Sequence, residues 1–143
     1  MGIFRGIAAV LIGLLVLLAL LAGGFVGLTA GLGMDRLLKP GSYEFAPVVM
    51  ICAFVLMAVP ALAGGYICAS IARTRIPVVV LAALMLLWGV AGAAGSMKPD
   101  AGPRPAGTTW AEGLGKFRHP AWFALATGAV GAFGVMLGGR LKK

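Results

Sequence analysis

Four stretches of this chain carry no charged side chain: 6–34, 45–72, 76–97 and 120–139, or 29, 28, 22 and 20 residues. Crossing roughly 30 Å of hydrocarbon takes about 20 residues of α-helix at 1.5 Å per residue. Each stretch is long enough. In lipid, backbone N–H and C=O groups find partners only inside a helix or a closed barrel, and the alternation of barrel strands is missing here. Pro47, Pro77 and Pro120 stand near the starts of the last three stretches, where a missing N–H costs nothing. The expected fold is all-α, an antiparallel bundle of four transmembrane helices over about 6–32, 46–72, 77–97 and 120–140. It forms a single transmembrane domain over 1–143.

The surface such a chain could present to water is too small for a soluble protein. Only 11% of its residues are charged, against roughly 25% in soluble domains, and 61% are hydrophobic. Lipid is the expected outer solvent. The first stretch is too long for the roughly 7–15-residue core of a secretory signal and is read as an uncleaved first helix. A net charge of +8 suggests nucleic acid at first sight, but the cations are scattered over segment ends and form no patch. No nucleic-acid partner is expected; the cations set orientation and meet lipid headgroups.

Orientation rests on the density of those cations. One side would hold Arg5, Arg73, Arg75, Arg140, Lys142 and Lys143, in three short segments without an acid. The other would hold Arg36, Lys39, Lys98, Arg104, Lys116 and Arg118, diluted by Asp35, Glu44, Asp100 and Glu112. The positive-inside rule then predicts both termini in the cytoplasm.

Glycine is the other distinctive feature. "LAGGF" at 21–25 returns as "LAGGY" at 62–66, and small residues recur every four positions around each pair. Gly23, Gly27 and Gly31 form one row, and Ala61, Gly65 and Ala69 another. The last stretch offers Ala124, Gly128 and Ala132, then Gly134 and Gly138; the third offers Gly89 with Ala93 and Ala91 with Gly95. Because lipid gives helices no hydrophobic reason to associate, spans adhere where small residues let backbones close in. These rows are expected to be packing faces. Consecutive spans run in opposite directions, so the two Gly-Gly pairs should lie at opposite depths and share no pocket.

Pro60 removes a backbone hydrogen bond in the middle of the second stretch and crowds the carbonyl of Leu56, so a bend is expected there. With Gly64 it makes a hinge candidate. The loop over 98–119 begins irregular and then offers Thr109 with Glu112 as a capping box, followed by Trp110, Leu114 and Phe117 at i, i+4 and i+7. That pattern predicts a short interfacial helix over 110–118, anchored by these three side chains.

Absences narrow the function further. No Asp, Glu, Lys, Arg or His lies within the stretches, whereas ion-coupled transporters place such groups inside the membrane to do the coupling. His119 is the single histidine, and one histidine builds no metal site without other ligands. Cys52 and Cys68 sit sixteen residues apart on one helix, about 24 Å, too far for a disulfide. No catalytic, cofactor-binding or metal site is expected. In size and texture, along its whole length, the chain resembles small four-span proteins of bacterial inner membranes, a resemblance carried by no diagnostic residue.

The expected protein is therefore a non-enzymatic multi-pass membrane protein of the bacterial inner membrane. Its expected role is structural or accessory, packing through glycine and alanine faces with itself as a homo-oligomer or with a larger membrane complex. The alternative is a small oligomeric channel or carrier for a neutral or weakly charged solute.

Overall fold

The computed structural model describes residues 2–97, 102, 103, 105 and 118–142, without the side chain of Met34. Five helices are present among them: α1 (Gly2–Leu32), α2 (Met34–Leu37), α3 (Pro47–Ala72), α4 (Ile76–Gly95) and α5 (Ala121–Leu141). All but the four-residue α2 are long and apolar enough to cross a membrane. The prolines sit where helix physics tolerates them. Pro47 and Pro77 fall in the first turns of α3 and α4, and Pro120 is the N-cap of α5. Pro60 lies inside α3, and the helix continues through it. Arg5 and Arg140 fall inside the terminal turns of α1 and α5, beyond the uncharged stretches.

Helix α3 packs most extensively against α5 and α1, and α5 packs against both α3 and α4. A smaller contact joins α1 to α4. The consecutive helices α3 and α4, joined by the tight turn at 73–75, share little contact, because α5 rather than α4 lies along α3. The interior is apolar: Leu17, Ala61, Cys68, Leu81 and Val135 are almost completely buried in one cluster. The outside is apolar too. Leu15 is 66% exposed, Val55 62% and Phe133 66%, a surface that water would penalise at roughly 25 cal/mol per Å² and lipid would not.

Between α1 and α3 the segment 33–46 folds into a compact cap. Leu38 and Phe45 form a β-bridge, Lys39 N–H donates to the Glu44 carbonyl at 2.8 Å, and Ala46 N–H donates to that of Leu37 at 2.9 Å. Leu37, Leu38 and Val49 are buried beneath it against Leu28 and Leu32 of α1. The cap also catches the chain entering α5: Arg118 N–H donates to the Tyr43 carbonyl at 2.9 Å, and Phe45 N–H to the Arg118 carbonyl at 3.1 Å.

Candidate functional site

The glycines divide into those that bring helices of this chain together and those that do not. At the α3–α5 contact, Gly65 faces the backbone of Val135 so closely that a β-carbon there would fall inside it, and Gly138 meets the backbone of Leu62 in the same way. A β-carbon on Gly134 would stand 2.8 Å from that of Ala61, itself fully buried. Between α4 and α5, a β-carbon on Gly128 would stand 2.8 Å from the Cα of Gly89. Only hydrogen fits at these four glycines. Ala69, half-buried, packs at the edge of the main core cluster.

Helix α1 uses other residues than the spacing suggested. A β-carbon on Gly64 would lie 2.8 Å from the Gly13 carbonyl oxygen, and one on Gly24 2.6 Å from Leu56 Cδ2. The row Gly23, Gly27 and Gly31, read from the sequence as a close contact, meets nothing within 4 Å in this chain. The reason is rotational. The inward side of this part of α1 carries Gly24, Phe25, Leu28 and Leu32, all half-buried, and the row lies on the exposed side with Ala22, Val26 and Ala30. Gly13 was legible in principle, since Ala9 precedes it by four residues and Gly6 by seven. In α4 likewise, Gly89 and Gly92 face α5, while Ala91 and Gly95 are exposed.

Pro60 is buried, and the residues after it are held on two sides, with Gly64 against α1 and Gly65 against α5. Three hydroxyls bond to carbonyls of their own helices or helix ends. Thr29 Oγ1 donates to the Val26 carbonyl at 2.8 Å, Ser96 Oγ to that of Ala93 at 2.6 Å, and Thr127 Oγ1 to that of Ala124 at 3.0 Å. Cys68 is buried among apolar side chains and Cys52 is half-buried, both as free thiols. His119 lies among rings, stacked on Phe45 at 6.4 Å between centroids and tilted against Phe123 at 5.7 Å.

Most of the interfacial helix expected over 110–118, with its anchors Trp110, Leu114 and Phe117, lies outside the described residues. Arg118, placed at its end by the sequence reading, instead pairs with Glu44 in a β-bridge, since its N–H and carbonyl both serve the cap.

Charge separates the two ends of the helices. At the cap, Lys39 Nζ pairs with Glu44 at 2.8 Å, and the hydrogen bond and charge of Lys39 hold the Glu44 carboxyl below its ordinary range. At the opposite end Arg5 Nε donates to the Ile71 carbonyl at 2.6 Å and Lys142 Nζ to that of Ser70 at 3.0 Å. Both cations thus satisfy the last orphan carbonyls of α3, where the helix dipole favours positive charge. No protein-family model, no curated protein and no solved structure matches the chain.

Proposed function

We propose that this is a non-enzymatic, multi-pass protein of the bacterial inner membrane with a structural or accessory role. It associates through the exposed small-residue face of α1 with a second copy or with a larger membrane protein. The observation that carries this reading is the change along the outside of α1. Its first part turns large apolar side chains outward, Ile7, Leu11 and Leu15 among them, as a lipid-facing surface requires. Its last part turns out Ala22, Gly23, Val26, Gly27, Ala30 and Gly31. Such a face gains little from lipid and much from another backbone.

In this reading the four long helices form an antiparallel bundle. The residue pairings support it: along α1 from Gly13 to Gly24, the partner on α3 moves back from Gly64 to Leu56. Both chain ends lie in the cytoplasm. The contacts of Arg5 and Lys142 with the end of α3 gather them at the 73–75 turn, among cations with no acid nearby in sequence, as the positive-inside rule requires. Transport is the weaker alternative, because the interior contacts close down to backbone and the hydroxyls of Thr29 and Thr127 bond to their own helices.

The test is oxidative cross-linking in native membranes. With Cys52 and Cys68 replaced by alanine, Gly27→Cys should give a dimer or a cross-link to another membrane protein, and Leu15→Cys should not. Equal cross-linking at both positions, or none at Gly23→Cys, Gly27→Cys and Gly31→Cys, would sink the reading.

A further inference from the structure

At the end of the helices away from the cap, the 73–75 turn, the start of α4 and the end of α5 line a half-open cavity of about 750 Å³. That volume is within the roughly 300–1,000 Å³ of small-molecule sites. Four of its lining residues are cations, Arg73, Arg75, Arg140 and Lys142, and none is an acid. Among the described residues the acids are Asp35 and Glu44, both in the segment 33–46 at the far end of the helices. Val78 and Met136 make part of the wall apolar. A β-carbon on Gly139 would stand 2.6 Å from Val78 Cγ1, so α4 and α5 close together there.

Two further features bear on what fills this cavity. Arg73 ends α3 in the left-handed region, φ 59°, and is the only non-glycine residue with positive φ among those described. Glycine is the usual residue there, and this chain uses 23 glycines elsewhere. An arginine therefore stands at a position whose backbone favours glycine, with its side chain lining the cavity. The second feature is a neighbouring groove of about 540 Å³ between α1 and α4. It is lined by side chains such as Ile7, Val10, Pro77 and Val80, and Thr74 lines both spaces.

We infer that the basic cavity binds the phosphate group of an anionic phospholipid, with an acyl chain lying in the adjoining apolar groove. The shared chemistry is a phosphate ester held by arginine forks and a lysine, which bind phosphate oxygens through charge-assisted hydrogen bonds. Clustered like charges repel one another, and an anion relieves that repulsion. The apolar groove favours lipid over a soluble phosphate, which would have no use for it. Four cations also favour two phosphodiesters over one, so diphosphatidylglycerol should bind more tightly than phosphatidylglycerol. The inference rests on the membrane reading of the chain but not on association through α1.

The full chain, purified in a non-ionic detergent, is titrated with diphosphatidylglycerol, phosphatidylglycerol and phosphatidylcholine, and adducts are counted by native mass spectrometry. Each cation near a membrane surface contributes a factor of about five to anionic-lipid binding, so Arg73→Gln with Arg140→Gln should weaken diphosphatidylglycerol binding about 25-fold. Arg36→Gln with Lys39→Gln, the same charge change at the cap, should leave it unaltered, as should Gly27→Leu. Helical content and melting without lipid identify any variant that fails to fold; for such a variant Arg73→Lys and Arg140→Lys, which keep the charge, are used and should retain most of the binding. Equal losses from both charge pairs, or equal binding of phosphatidylcholine, would overturn the site. Displacement of the lipid by millimolar inorganic phosphate or glycerol 3-phosphate would assign the cavity to a soluble phosphate and overturn the lipid. Release of the protein from membranes by alkaline carbonate would instead count against the membrane reading itself.

Discussion

Helix α5 and the last third of α1 carry the same spacing of small residues and end in opposite surroundings. Along α5, Gly128, Gly134 and Gly138 meet the backbone or β-carbons of α3 and α4, and Gly131 meets the sulfurs of Met57 and Met85. Along α1, Gly23, Gly27 and Gly31 meet nothing. A four-residue repeat of small side chains states that a backbone can come close, but it does not say whose. In α5 the approach is made within the chain, by helices on two sides. In α1 the approach is left open, and the helix reaches α3 through Gly13, ten residues before the row, and through Gly24. One spacing therefore serves folding in one helix and stays open in the other, where the proposed association would use it.

The hardest way to break that comparison is to enlarge a glycine on the inside. Gly65→Leu puts a branched side chain where even a β-carbon would enter the Val135 backbone. Overpacking ordinarily costs about 1–3 kcal/mol, and here no flexible side chain can give way, so the loss should reach or pass the top of that range. Thermal unfolding in detergent, followed by helical circular dichroism, should show a large fall in midpoint or no folded protein. A melting curve like that of the wild type would mean that α3 and α5 do not approach as described.

Enlarging a glycine on the outside sharpens the comparison. Gly27→Leu should leave the unfolding midpoint of the separated chain within about 0.5 kcal/mol of wild type, as surface substitutions do. It should weaken self-association or complex formation by about 1–3 kcal/mol, by forcing two backbones apart. Energy transfer between labelled copies in vesicles reads the association. Val55→Leu, at a position 62% exposed with a large side chain already present, is the lipid-facing control and should change neither quantity. If Gly27→Leu destabilises the chain itself as much as Gly65→Leu does, the two rows have the same role and the contrast fails.

How far this contrast could be read in advance depends on what each pattern encodes. Four helices were legible because lipid forces an uncharged run of about 20 residues into one, whatever its neighbours. Close contacts at Gly65, Gly128 and Gly138 were legible as small residues at helical spacing. The partner of each row was not, because a shift of one residue around α1, from Gly24 to Gly23, turns a side chain by about 100° and exchanges inside for outside. The cap over 33–46 was not legible either. Its β-bridges join Leu38 to Phe45 and Glu44 to Arg118, and the second pair stands more than seventy residues apart with no periodicity to announce it. The cations around Arg73 could be counted from the sequence. That they line one cavity depends on α5 ending beside the 73–75 turn, which the packing of α5 against both α3 and α4 brings about.

The cap bears on the comparison because it holds the part of α1 that carries the open row. Phe45 stacks on His119 and meets Phe25 of α1 edge-on, with 6.5 Å between centroids. Aromatic pairs contribute about 0.5–1.5 kcal/mol each beyond their buried area. Phe45→Ala should therefore cost about 1–3 kcal/mol of stability and loosen the end of α1. Hydrogen exchange should rise at the amides of 25–32 and stay unchanged at those of 9–17, near the main core. Uniform acceleration along α1 would show that the cap does not hold that end independently.

The smallest effect is expected at the charged contact of the cap, Lys39 with Glu44, where both side chains are about half exposed. The hydrogen bond from Lys39 and its charge lower the Glu44 pKa in the folded chain. The contribution is therefore present above the ordinary glutamate pKa of about 4.3 and is lost as pH falls through the lowered value. At neutral pH Glu44→Gln should barely move the melting temperature, because an exposed pair is screened and its side chains lose entropy in holding one geometry. Once pH has fallen below that lowered value the difference between wild type and variant should vanish. A carbon-detected titration of the Glu44 carboxyl gives the more sensitive reading. Lys39→Gln should return its midpoint toward the ordinary glutamate range, and an unmoved midpoint would mean that Lys39 is not what lowers it. Arg118, whose charge also lowers the Glu44 pKa, would then be the cation that acts on it, and the backbone hydrogen bonds of the cap with the packing of Leu38 and Phe45 would hold α1 without Lys39.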